Sequence, residues 1–232
     1  MYKVVLKRNE EKYFYLNELN RTKEDYLIIK EIHDEARKSE VPIILDDGLD
    51  FLLMVVRMIK PKRILELGTA VGFSAIMMAK NSSALIETIE RNSEMYEKAL
   101  SNIKKCGLDD CITVYHDDAL LFDEGKLQGE YDLIFIDAGK AQNIRFFTKY
   151  SKYLSKTGVI LTDNILFHGL VEEYVNTGTL SSGSKDLKAM VRKIHEYNMW
   201  LKDNKEFSTT FIRVGDGIAV SSRRGNDENK WL

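Results

Sequence analysis

An apolar run that breaks at a glycine turn, Arg63-Ile64-Leu65-Glu66-Leu67-Gly68-Thr69-Ala70-Val71-Gly72-Phe73-Ser74, constrains this chain more than any other segment. Glu90 closes the next apolar run about 20 residues further on. In a strand–turn–helix unit of this kind the glycines let backbone approach a ligand, and the later acid accepts hydrogen bonds from ribose hydroxyls. The spacing is Gly68-x-x-x-Gly72, and Ala70 stands where a dinucleotide fold has the glycine that meets the pyrophosphate. A nucleoside without phosphate suits this turn better than NAD does. S-adenosylmethionine is therefore the expected cofactor, with Glu66, Gly68 and Thr69 at the turn.

From Pro61 onward, strand-like and helix-like patterns alternate. Apolar runs at 63–67, 85–89, 111–115, 131–136 and 157–162 are separated by helical patterns at about 72–80, 93–105 and 141–154. Short apolar runs separated by helices predict a parallel sheet covered on both faces. A long helix is expected from Gly183 to about Asp203. Thr209–Val214 and Gly217–Ser222, joined by Gly215-Asp216, read as an antiparallel hairpin. Residues 9–38 suggest two amphipathic helices (Tyr13, Leu16, Leu19; Leu27, Ile28, His33), and Asp46-Asp47-Gly48 can cap a third that Pro61 ends. The expectation is one doubly wound, Rossmann-like α/β domain over residues 1–232: a helical extension to 60, a core from 61 to 224, and a polar tail from 225 to 232.

In open α/β sheets ligands sit outside the carboxyl ends of the strands, and this chain repeatedly puts polar side chains there. The ends are Glu66 and Gly68, Glu90, Asp117-Asp118, Asp137, and Asp163-Asn164. A single acid at a strand end is often only a helix cap; five ends in register point to a binding crevice. Glu90 would hold ribose, and Asp118 with the Ala119 amide would read the adenine edge. Asp137, Asp163 and Asn164 offer two carboxylates and an amide oxygen from adjacent strands. That donor set suits a hard divalent cation such as Mg²⁺, although Asp163-Asn164 could also simply shape a turn.

Four motifs in order carry a resemblance: Glu66-x-Gly68-Thr69-Ala70-x-Gly72-x-Ser74, Thr88-Ile89-Glu90-Arg91-Asn92, Tyr131-Asp132-x-Ile134-Phe135-Ile136-Asp137-Ala138-x-Lys140, and Thr162-Asp163-Asn164-x-Leu166-x-x-Gly169. Together they resemble the cation-dependent class I O-methyltransferases, the family of the catechol and caffeoyl-CoA enzymes, over about Val41 to Ser222. Val41-Pro42-Ile43, Asp163-Asn164-x-Leu166-Phe167-x-Gly169-Leu170-Val171, Glu196-Tyr197-Asn198-x-Trp200-Leu201 and Val214-Gly215-Asp216-Gly217 look most like its bacterial tRNA 5-hydroxyuridine branch. The resemblance implies cofactor contacts at Ile44, Ser74, Glu90, Asp118, Ala119 and Asp137. It implies metal ligation by Asp137, Asp163 and Asn164, a general base at Lys140, and a homodimer contacting through the N-terminal helices. Ile44 replaces a methionine common at its position, a volume-conserving swap. Thr177–Lys185 is rich in Gly, Ser and Thr where the tRNA branch would carry a strongly basic run.

Composition narrows the alternatives without choosing between them. A formal charge of -2 gives no global nucleic-acid signature, so tRNA contact needs a local patch. Lys185, Lys188 and Arg192 can share one helix face, as a phosphate-tracking stripe or as an ordinary solvated face. Tyr197 and Trp200 could stack on a splayed base or belong to the core. Lys140 could equally be a solvated lysine. His33, His116, His168 and His195 have no partner at a suggestive spacing. Cys106 and Cys111 are too few for a disulfide framework, the apolar run Phe51 to Val56 stops at Arg57, and the N-terminus lacks a signal-peptide layout; a cytoplasmic protein is expected. Catechol and 5-hydroxyuridine each offer two adjacent oxygens to a cation, so a small-molecule acceptor stays open beside tRNA. A non-catalytic RNA-docking protein would have no use for the metal set.

Overall fold

The computed structural model describes residues 26–225; the expected helix around Tyr13, Leu16 and Leu19 and the tail with Trp231 lie outside them. Two helices, α1 (Tyr26–Lys38) and α2 (Asp46–Ile59), precede an alternating series. It runs β1 (Arg63–Leu67), α3 (Phe73–Lys80), β2 (Leu85–Glu90), α4 (Ser93–Lys105), β3 (Ile112–His116), β4 (Tyr131–Ile136), α5 (Asn143–Tyr150) and β5 (Leu154–Thr162). The chain continues with α6 (Leu170–Thr177), α7 (Lys185–Lys202), β6 (Phe207–Ile212) and β7 (Ile218–Arg223). The seven strands form one sheet in the order β3-β2-β1-β4-β5-β7-β6, with the first five parallel and β7 antiparallel to both β5 and β6. This is the mostly parallel, doubly wound architecture the alternation predicts. No helix among the described residues is long and apolar enough to cross a membrane.

Period-two alternation explains the two buried faces. Ile64, Leu133, Phe135 and Leu161 face a core shared with Leu52, Val56, Ile76 and Met78 of α2 and α3. Leu65, Leu67, Ile134 and Ile136 face a second core, with Phe146, Phe147 and Tyr150 of α5 and Tyr197 of α7. Chain order reverses at β1, between its neighbours β2 and β4, so the loops after β1 and β4 diverge there and leave a crevice at the strand carboxyl ends.

Four local expectations are corrected. Residue Leu45, not an aspartate, caps α2; Asp46 and Asp47 lie in its first turn, and Asp47 Oδ2 instead accepts from the Gly215 N–H at 2.9 Å. Strand β5 starts at Leu154 rather than 157, because buried Leu154 pairs with Tyr131 before an irregularity in the ladder. The β6–β7 ladder ends at Ile212 and Ile218, so the connection is Arg213–Gly217 rather than two residues. Helix α6 has no counterpart in the sequence reading; Gly169 and Gly178, both at positive φ, bound it. Its Val171 packs with Leu180, Val191 and Ile194 in a separate small core against α7.

Candidate functional site

The glycine turn is set by a steric demand from the neighbouring strand. Gly68 has φ 97°, and a Cβ there would meet the Asp137 carbonyl oxygen at 2.6 Å, so only glycine lets the β1 turn pass the end of β4. The turn is then fastened to β2: Glu90 accepts from the Ala70 N–H at 2.9 Å through one oxygen and from the Asn92 N–H at 2.8 Å through the other. Below it, fully buried Glu66 accepts from Ser74 Oγ and Thr88 Oγ1, each at 2.6 Å. Burial pushes this carboxyl up to about 8, outweighing the two hydroxyl donors that favour its charged form; Asp137 and Glu90 add to the rise. Glu66 therefore braces the turn from beneath.

Above the turn lies a pocket of about 270 Å³. Of the expected cofactor residues, Ile44, Gly68, Thr69, Ser74, Glu90, Asp118, Ala119 and Asp137 all line it, and Glu66 does not. Its wall also includes Arg91, next to Glu90, and Met95, Gln142 and Phe146, none of them singled out from the sequence as a cofactor contact; they come from α4, α5 and the loops that flank them. Arg37 Nη2 donates to the Ile44 carbonyl at 3.1 Å and ties the 41–44 segment to α1. The wall at Ala119 has an unusual fastening: Lys149 Nζ donates to the carbonyls of Ala119, Leu120 and Phe122 at 3.1, 2.9 and 2.8 Å. Tyr150 Oη adds a bond to the Ala119 carbonyl at 2.6 Å, and Asp118 Oδ1 accepts from the Leu120 N–H at 2.8 Å.

The second set of residues meets where β4 and β5 end. Asp137 is ion-paired with Lys140, both largely buried. Asp163 is almost fully buried, and its Oδ1 accepts from the Asn164 N–H at 2.7 Å. Burial first, and then the charge of Asp137, raise the Asp163 carboxyl above its ordinary value, against the pull of Lys140. Asn164 gives its Nδ2 to Asp216 at 3.3 Å, which leaves Oδ1 as the end available for ligation. Among the described residues no group of three or more His, Cys, Asp or Glu side chains is arranged for a metal. The candidate set is instead two carboxylates and an amide oxygen. Two acids that feel each other's charge, with one lysine paired to Asp137, form a surrounding that a hard, oxygen-seeking cation fits.

Other candidates resolve differently. Tyr197 is fully buried, with its hydroxyl 2.7 Å from Thr162 Oγ1, and Trp200 packs 5.3 Å from the Phe147 ring; the option of base stacking by Tyr197 is therefore corrected to a core role. His168 lies 3.7 Å from Asp216 beside the second set and is more than half exposed.

Comparison with known proteins agrees with this geometry. The family model described as O-methyltransferase matches residues 18–224. A caffeoyl-CoA O-methyltransferase from Populus kitakamiensis is 26% identical, covering 90% of this chain and 92% of the relative. A structure described as "a putative caffeoyl-CoA O-methyltransferase from Staphylococcus aureus" superposes with a TM-score of 0.83 and 32% identity, covering 93% of this chain and 99% of that one. An O-methyltransferase from Bacillus cereus, solved in complex with SAH, gives a TM-score of 0.76 at 25% identity, with 90% and 96% covered. The crevice, the braced glycine turn and these matches together show that the chain belongs to the O-methyltransferase family, whose members take their methyl group from S-adenosylmethionine.

Proposed function

We propose that this protein is a Mg²⁺-dependent methyltransferase acting on the 5-hydroxyl of 5-hydroxyuridine in a tRNA anticodon loop. The metal-dependent part is supported by Asp137 in the pocket wall, by Asp163 and Asn164 directly after the paired end of the neighbouring strand, and by the charge of Asp137 acting on Asp163. S-adenosylmethionine supplies a methyl group for in-line displacement, so the protein's task is to position an oxygen nucleophile. A divalent cation held by Asp137, Asp163 and Asn164 would lower the pKa of an acceptor hydroxyl. Glu90 keeps lone pairs for ribose hydroxyls beyond its two backbone bonds, and Asp118 with Ala119 flanks the adenine end. Lys140, paired with Asp137, is the candidate to take the acceptor proton. It would have to leave Asp137 first, and a cation held by that carboxylate would weaken the pair.

The tRNA part rests on the motifs shared with that branch and on α7, whose Lys185, Lys188 and Arg192 are exposed. Arg192 is 3.5 Å from Glu196, so the stripe is partly neutralised. Exposed Leu27, Met54 and Met58 on α1 and α2 support a homodimer. A second reading, a small catechol-type acceptor, is favoured by the relatives described as caffeoyl-CoA enzymes. A labelled methyl-transfer assay would compare tRNA bearing 5-hydroxyuridine, the same tRNA with uridine, and a simple catechol. Label on the hydroxylated tRNA alone, lost with EDTA, is the expected result; label on catechol alone would move the enzyme to the second reading.

A further inference from the structure

The chain after Asp163 adopts a conformation its own residues disfavour. Asn164, Phe167 and His168 have φ of 63°, 47° and 56°, followed by Gly169 at 79°. Non-glycine residues at positive φ persist only where their surroundings dictate them. Here the β6–β7 connection dictates them. The Ile165 N–H donates to the Gly217 carbonyl and the Leu166 N–H to the Asp216 carbonyl, both at 3.0 Å. The Asp216 side chain, 6% exposed, accepts from the His168 N–H at 2.5 Å through Oδ1 and from Asn164 Nδ2 at 3.3 Å through Oδ2. The connection is itself anchored to α2 by the Asp47–Gly215 bond, and a Cβ on Gly215 would stand 3.1 Å from Gly48 Cα.

An aspartate that only closed a loop would need only backbone donors. Asp216 commits one buried oxygen to a side-chain amide whose two ends are nearly equal in shape and opposite in chemistry. A carboxylate accepts and does not donate, so it takes the NH₂ end of Asn164 and turns the oxygen end away from itself. We propose that Asp216 is the positioning residue of the cation site: it selects the amide orientation in which Asn164 presents oxygen to a divalent cation. The proposal rests on reading Asp137, Asp163 and Asn164 as the ligands.

The test is a Mn²⁺ titration of the free protein, followed by electron paramagnetic resonance, with cofactor affinity and melting temperature measured alongside. Asp216→Asn is nearly isosteric but sets an amide against an amide. It should weaken Mn²⁺ binding by about 10- to 100-fold, the usual consequence of losing an outer partner, while leaving the cofactor Kd unchanged. Adding Asn164→Asp to that variant re-forms the hydrogen bond with reversed polarity and supplies an oxygen in either orientation, so Mn²⁺ affinity should return. Wild-type Mn²⁺ affinity in Asp216→Asn would overturn the proposal. So would a loss that the swapped pair does not repair, which would make Asp216 a loop-closing residue only. If wild type shows no Mn²⁺ site that Asp163→Ala removes, the ligand reading itself fails, and the role of Asp216 with it.

Discussion

Around the glycine turn carboxylates are spent on backbone; past the ends of β4 and β5 they crowd one another's charge. Glu90 holds two amides, Asp118 holds one, and Lys149 closes the Ala119–Phe122 loop on three carbonyls. Across the crevice, Asp137, Asp163 and Asp216 gather around one lysine and a strained turn. The first arrangement is complete in itself and can wait, already shaped, for the uncharged adenosine part of a cofactor. The second is short of positive charge, and a short-range Coulomb deficit in a buried place is what a divalent cation relieves.

This contrast breaks most visibly at Asp163. Asp163→Ala should cost about 10³-fold or more in turnover, since a metal contributes several kcal/mol to the transition state. The cofactor Kd, measured by calorimetry with no divalent cation present, should not move; a loss of cofactor binding of the same size would erase the division between the two sides. The mirror experiment is Lys149→Met. Releasing the three carbonyls should raise the cofactor Kd by about tenfold, at the lower end for hydrogen bonds to a charged group, and leave Mn²⁺ affinity untouched. The remaining effect concerns stability alone. Because the folded-state pKa of Glu66 is raised from 4.5 to about 8, the folded protein holds a proton that the unfolded chain has already released between those values. Stability should therefore fall as pH rises across that window, by on the order of 1 kcal/mol per unit at most, and Glu66→Gln should flatten the profile in urea denaturation. An unchanged slope would mean that Glu66 titrates normally.

What the sequence disclosed follows the same division. Gly68, Glu90 and the acids at the strand ends are local signals, each set by a strand and the turn that follows it, and all eight expected pocket residues other than Glu66 line the pocket. Glu66 belongs to the same motif, but facing inward or outward at a strand end is decided by the pleat, and here it faces Ser74 and Thr88. The Lys149 clamp joins residues about 30 positions apart, and no spacing rule announces it. Asp216 was legible as part of a hairpin but not as an inward-turned carboxylate, because that depends on the path of residues 164–169. Helix α6 is only eight residues long and lies between glycines in a polar stretch, too short to establish a helical period.

Gly68 and the Asp137 carbonyl touch, and Asp137 both lines the nucleoside pocket and pairs with Lys140. If Asp137 also holds the cation proposed above, it belongs to two ligands, and their binding free energies become inseparable. If a nucleoside shifts Asp137 so that a divalent ion binds some number of times more tightly, the ion must tighten the nucleoside by the same factor. Order of loading then has thermodynamic content: the affinity of either ligand reports on the presence of the other, and the reciprocity can be read from two titrations without any turnover taking place.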